Sequence, residues 1–225
     1  MIIAVTGFKG GCGKSTITIN LAAGLQDQNY SVLIVDADEQ GSLMSFAEVA
    51  MEGFPTVISI DKPILHKENQ VPKLARDYEF TIIDCPPKDS DVIISALTIA
   101  DVALIPVTPS PLDVWAAVKF KKLLDEAQAL RPDLAPFLIL SRRKPNTTLG
   151  DEGREALGAY KIEVLESEIC ERIDVQNAVF EGKPLIKYKP NSKAAAEFMA
   201  LTEEIVAYVK KAKPAKLGRR VPVER

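Results

Sequence analysis

Residues 8–16, Phe-Lys-Gly-Gly-Cys-Gly-Lys-Ser-Thr, constrain this chain more than any other stretch. They follow an apolar run, Ile2-Ile3-Ala4-Val5, that predicts a short buried strand. They precede residues 17–25, where apolar side chains recur at helical spacing. A glycine-rich turn between a strand and a helix lets the backbone take positive φ, here at Gly10, Gly11 and Gly13, and turn its N–H groups toward an anion. The following helix aims the positive end of its dipole at the same point. Lys14 is then placed to meet the β- and γ-phosphates of a nucleotide, and the Ser15 hydroxyl to meet Mg²⁺. A glycine turn that binds nothing is the competing reading, and Lys-Ser directly after the last glycine argues against it.

Length and composition narrow the rest. The 225 residues suit one α/β domain with chain enough for a sizeable core, and 26% charged residues is an ordinary globular value. Cys12, Cys85 and Cys170 are odd in number and show no CxxC spacing, which opposes a disulfide framework, an iron–sulfur site or a zinc site and fits a reducing cytoplasm. No basic leader or long apolar stretch is present, so neither a signal peptide nor a membrane span is expected. The one histidine, His66, has no obvious partner and is expected in a surface loop. The net charge of −3 conceals an asymmetry: from Lys183 onward Lys and Arg outnumber Asp and Glu by 11 to 4. A basic segment on an acidic body points to a polyanion partner, or else to a solvated helix and tail.

Further along, strands are expected at residues 31–35, 57–60, 80–83, 101–108, 137–141 and 162–169. Helices are expected at 43–51, 71–76, 114–130, 147–160, 175–181 and from a Ser192 cap to about 211. This alternation implies an α/β fold, a mostly parallel sheet flanked by helices on both faces. The second strand ends in Asp36-Ala-Asp38-Glu-Gln-Gly-Ser42, carboxylates on the rim where an open α/β sheet binds ligand, or caps for the next helix. The strand at 80–83 ends in Asp84-Cys-Pro-Pro87, an acid placed to hold a Mg²⁺-bound water, with prolines that stop the strand. Residues 210–225 are basic, contain Pro and Gly, and are expected to be a flexible tail on a 1–209 domain.

Lys9 directly before Gly10-Gly11-Cys12-Gly13-Lys14-Ser15-Thr16 resembles the deviant Walker A loop of the ParA/MinD ATPases. The Asp36–Ser42 run is similar to that family's D-x-D-P-Q-G-N switch, with Glu39 replacing proline and leaving the loop less constrained. Asp84-x-Pro-Pro is a further likeness, Pro106-Val-Thr-Pro-Ser-Pro-Leu-Asp113 resembles small partition ATPases of the ParF type, and Gly182-Lys-Pro-Leu-Ile-Lys-Tyr-Lys-Pro resembles the family's closing motif. The resemblance runs from Ile2 to about Val209. It implies a single-domain P-loop NTPase that binds ATP and Mg²⁺ through residues 9–16, with Ser141 or Arg142 at the adenine and Ser15, Asp36 and Asp84 around the metal. It implies that Asp38 orients the attacking water, and that Lys9 crosses a homodimer interface to the partner's phosphates. Asp113 would lie at the same seam. From the residues alone, Lys9 also reads as a solvated charge, Asp113 as part of a turn or N-cap, and 142–144 as a surface cluster.

The resemblance further implies an ATP-bound sandwich dimer that binds non-specific DNA and is released by slow, partner-stimulated hydrolysis. The charge asymmetry places the DNA surface in the basic C-terminal region. Lys187, Lys189 and Lys193, near the start of the last helix, come ahead of the tail because a helix-anchored lysine loses less entropy. The partner would be a centromere-binding protein, often ribbon-helix-helix, and the setting the cytoplasm, on the nucleoid. MinD-like relatives end in a membrane-docking amphipathic helix, and the tail here lacks an apolar stripe, so no membrane anchoring is expected. The same machine in McdA-like ATPases spaces carboxysomes over the nucleoid. A dethiobiotin-synthetase-like ligase or an iron-protein-like reductase is the alternative of another class; the missing cluster cysteines oppose the reductase, and the basic C-terminal segment opposes the ligase.

Overall fold

A computed structural model describes residues 1–7, 9–144, 154, 157–158 and 162–212, with backbone alone for 111–119. Its strands are β1 (Ile2–Val5), β2 (Val32–Asp36), β3 (Thr56–Ser59), β4 (Phe80–Asp84), β5 (Val102–Val107), β6 (Ala135–Arg143) and β7 (Glu163–Cys170). They form one sheet in the order β3-β2-β4-β1-β5-β6-β7, every pairing parallel. From β1 the chain crosses to β2 on one side, and from β4 it crosses β1 to reach β5 on the other. Strand order therefore reverses beside β1, and the crevice at the carboxyl ends of β1 and β4 is where an open α/β sheet takes its ligand.

The central strands β1, β2, β4 and β5 are mostly apolar because both faces are covered, whereas the edge strand β7 carries Glu163, Glu166 and Glu168. Ile3 and Val5 enter one core cluster and Ala4 the other; Phe80 and Ile82 part from Ile83 in the same way. The first face is covered by α1 (Lys14–Asp27), α2 (Ser42–Val49) and later helices. The second face is covered by α3 (Val71–Leu74), α4 (Ser90–Leu97) and α5 (Pro111–Leu130). The later helices are α6 (Ile173–Phe180), α7 (Leu185–Tyr188) and α8 (Lys193–Ala212). Two of these elements, α4 and α7, have no counterpart in the reading from sequence. The signal for α4 was present: Asp89 caps it, accepting from the N–H groups of Asp91 and Val92, and Val92, Ile93, Ala96 and Leu97 fill the core. Ser192 caps α8 as expected, its hydroxyl accepting from Ala195 N–H at 3.0 Å.

Edge strand β7 is blunted by α8. Glu204 accepts from the N–H groups of Glu166 and Ser167, and Glu197 from that of Cys170, at 2.8–2.9 Å. The helix α8 ends at Ala212, close to the expected 211; the tail from 213, and nearly all of the helix expected at 147–160, lie outside the described residues. His66 is exposed, as expected, but it has a partner: its N–H donates to Ser95 Oγ, and its ring Nδ1 lies 2.8 Å from the same oxygen. No helix among the described residues is long and apolar enough to cross a membrane.

Helices α1 and α8 touch at Gly24, where a Cβ would lie 2.4 Å from Thr202 Oγ1. The threonine cannot turn aside freely, since Oγ1 donates to Phe198 O at 2.8 Å in a buried setting. Gly24→Ala should gain about 1 kcal/mol of helix propensity and still destabilise the fold by about 1–3 kcal/mol through overpacking. Urea denaturation measures this, and adding Thr202→Ala should recover part of the loss; a stabilised single variant would show that the two helices simply move apart.

Candidate nucleotide site

The glycine-rich loop joins β1 to α1, and its backbone explains two of its glycines. Gly11 and Gly13 hold φ of 75° and 97°, as expected, and Gly13 is doubly constrained because a Cβ there would lie 2.9 Å from Ser141 Oγ. Gly10 is a correction: it is not among the residues of positive φ, and open space surrounds the place of its Cβ. Lys14 is buried, and its Nζ donates to the Lys9 carbonyl at 3.3 Å, so the loop holds its own lysine. Cys12 is buried and makes a 3.3 Å contact to the same carbonyl.

Three carboxylates converge beside the loop. Asp84, buried at the end of β4, accepts from Ser15 Oγ at 2.6 Å and from Thr18 Oγ1 at 3.4 Å. Burial pushes it up to about 7, against the Ser15 hydrogen bond and the Lys14 charge and with the help of Asp36 and Asp38. Asp36 is fully buried and accepts from the N–H groups of Asp38, Leu43 and Met44 at 3.0–3.2 Å. It thus caps α2, the alternative that the sequence left open, and burial raises its proton affinity in spite of those bonds. Asp38 accepts from Gln40 N–H at 3.1 Å, and Gly41 at φ 62° ends the turn, so the loop in which Glu39 replaces proline is held by its own aspartates.

Ser15, Asp84 and Asp36 fit a divalent cation by their chemistry: a hydroxyl and two desolvated carboxylates, with Asp36 among the charges that raise the proton affinity of Asp84. Asp36, with both oxygens engaged by backbone donors, supplies charge more readily than a ligand atom.

A cavity of about 400 Å³ runs from Lys14, Ser15 and Thr16 past Asp38 to Ser141 and Arg142. The far end, which the sequence did not disclose beyond 141–142, is built by Ile169, Arg172, Val175 and Gln176. Arg142 departs from a free base contact: with φ of 55°, its Nη1 donates to Gly11 O at 2.8 Å and its Nη2 pairs with Glu171. It braces the phosphate loop against the exit of β7. Lys9 is exposed and lines a second cavity, of about 350 Å³, across the loop, with Thr108, Ser110 and Lys144.

The remaining expected residues lie elsewhere. Asp113 falls in the first turn of α5, whose N-cap is Ser110, so it is not the cap; its side chain lies outside the described residues. Lys187 pairs with Asp27 at 2.5 Å and Lys189 with Asp174 at 3.0 Å, while Lys193 is exposed at the start of α8.

Fold and site together define a P-loop nucleotide-binding protein. Residues 3–185 match the family described as the CobQ/CobB/MinD/ParA nucleotide binding domain, and the chain belongs to that family. It is 32% identical over 201 residues to the maintenance of carboxysome distribution protein A of Halothiobacillus neapolitanus, covering 87% of this chain and 91% of that protein. It is 27% identical over 251 residues to the sporulation initiation inhibitor protein Soj of Bacillus subtilis, covering 92% and 98%. The cell division ATPase MinD of Pyrococcus furiosus superposes with a TM-score of 0.73 at 25% identity, covering 92% of this chain and 98% of that one.

The buried carboxyl of Asp84 gives the metal-free protein a pH signature. Unfolded, it titrates near 3.9, and folded at about 7, so between these values the folded state holds the extra proton. Stability should therefore fall as pH rises through that window. Asp84→Asn is expected to flatten the fall and to melt above the wild type at pH 8 in EDTA. Superimposable melting curves across pH 4–8 would mean that water reaches this carboxylate.

Proposed function

We propose that this chain is a ParA-type ATPase that cycles between a monomer and an ATP-bound sandwich dimer to position a cargo on DNA. The observation that carries the reading is that the two lysines of the loop line different cavities. Lys14 sits buried in the first cavity, whereas Lys9 is exposed and lines the second. Lys14 would meet the β- and γ-phosphates of the chain's own ATP, and Lys9 those of the second subunit. Ser15 and Asp84, with the charge of Asp36, would hold Mg²⁺, which when bound neutralises phosphate charge. Asp38, at the mouth of the cavity, would orient the attacking water.

The DNA reading rests on the basic region from Lys183 onward. Lys187 and Lys189 remain about half exposed in spite of their carboxylate partners, so a phosphate would compete with Asp27 and Asp174 for them. Two such surfaces in one dimer would double the number of phosphates engaged. Hydrolysis stimulated by an adaptor protein would release the dimer, as befits a protein acting on the nucleoid. A second reading, in which the cargo is a carboxysome or a similar body, is favoured by the 32% identity to the carboxysome distribution protein. The two readings share one machine and differ in the adaptor.

Lys9→Ala is expected to bind ATP with near wild-type affinity by titration calorimetry and to remain a monomer with ATP by light scattering. An ATP-dependent dimer in this variant would return Lys9 to a solvated charge.

DNA affinity, read by fluorescence anisotropy on unrelated duplexes, should require ATP and fall with salt at a log–log slope of about −0.9 per phosphate neutralised. Replacing Lys187, Lys189 and Lys193 with alanine should flatten that slope by about 0.9 for each phosphate that is then left to its counterions. An unaltered slope would move the DNA surface elsewhere.

A further inference from the structure

At the end of the cavity away from the phosphate loop, the first turns of α6 present one face. Arg172, Val175 and Gln176, spaced i, i+3 and i+4, all line it. The Arg172 side chain is only 25% exposed and is held from α8: Glu197 Oε1 accepts from Nη2 at 2.5 Å and from Nε at 3.2 Å. The other oxygen of Glu197 accepts from Cys170 N–H at 2.9 Å, so the carboxylate cannot swing away without stranding a donor on the β7 edge. Arg142, the other arginine of this cavity, is committed to Gly11 O and Glu171.

A guanidinium whose N–H edge is taken by a carboxylate still offers its flat face, which stacks well on an aromatic ring. The Gln176 amide carries a donor and an acceptor side by side, the complement of the N7 acceptor and N6 amino donor of adenine. Guanine presents an acceptor, O6, where adenine has that donor, and the amide cannot satisfy both acceptors at once.

We propose that Arg172 is the platform on which the purine stacks, that Gln176 selects adenine, and that Glu197 is the positioning residue that keeps Arg172 in place. This rests on the reading of the phosphate end as an ATP site. It assigns the base end to α6, and ties that end to α8 through one carboxylate.

The experiment is titration calorimetry of the full chain with the Mg²⁺ complexes of ATP, GTP and tripolyphosphate, which lacks a base. Arg172→Ala should weaken ATP and GTP alike, by about tenfold, and leave tripolyphosphate unchanged. Arg172→Lys, which keeps the charge and loses the plane, should not restore the affinity. Glu197→Gln should shift ATP in the same direction by less, again sparing tripolyphosphate, which a merely structural role would not do. Gln176→Ala should narrow the preference for ATP over GTP. Equal loss of all three ligands, or unchanged ATP affinity in Arg172→Ala, overturns the proposal. A wild-type chain that binds tripolyphosphate and ignores the base overturns it alone; one that binds neither, like Lys14→Ala, takes the ATP reading down as well.

Discussion

A carboxylate taken out of water must be compensated, and in this fold the burden falls on Asp84. It lies buried at the end of β4, answered by the hydroxyls of Ser15 and Thr18 on the first turns of α1 and by the charge of Lys14. These contacts tie the helix to the strand beside its own and so fix where the glycine-rich loop emerges. Asp36, one strand over, faces the same problem and meets it differently, by accepting three backbone N–H groups and anchoring α2. The excess of negative charge left beside Ser15 makes a divalent cation the natural complement there, while Lys14 and the N-terminus of α1 complement an anion.

From that anchor the rest of the site follows by bracing. Gly13 can close on Ser141 only because it lacks a Cβ, and this seats the loop against the end of β6. Arg142 then reaches back to the Gly11 carbonyl and across to Glu171, so the wall between the two cavities is made of the loop and its strut. Lys14 lines one cavity and Lys9 the other. Events in one cavity bear on the other through Gly10, Gly11 and Arg142, which line both.

The packing that supports this is uneven in character. The sheet interior is mostly apolar on both faces, with Thr6 and Thr81 among its few buried polar side chains, and does not need carboxylates to cover it. Its edge at β7 does, and α8 provides them; the same helix, through Glu197, also holds the arginine at the base end of the cavity. Gly182 serves a related end: at φ of 60°, with the Val49 carbonyl 2.0 Å from where a Cβ would stand, it lets the closing motif dock on the end of α2, sealed by Met51 N–H on its own carbonyl. The end of α2 and the segment before α7 are thus clasped to one another by backbone contacts.

What the sequence determined by itself is what depends on near neighbours in the chain. The strand–glycine turn–helix of residues 2–25, the acids that end β2 and β4, the Ser192 cap and the alternation that dictates a parallel sheet all rest on patterns a few residues long. Each was legible there. The helix α4 carried its signal as well, in Asp89 and the apolar residues after it. What only the tertiary structure decided depends on residues far apart in the chain: Arg142 on Gly11, 131 positions away, Glu197 on Arg172 and Cys170, Lys187 on Asp27. No local periodicity encodes such pairs, because they exist only once the crossovers have brought strand ends and helices to one rim. For the same reason Asp36 could not be assigned between metal and cap from its position alone, and its three backbone donors settle its structural part.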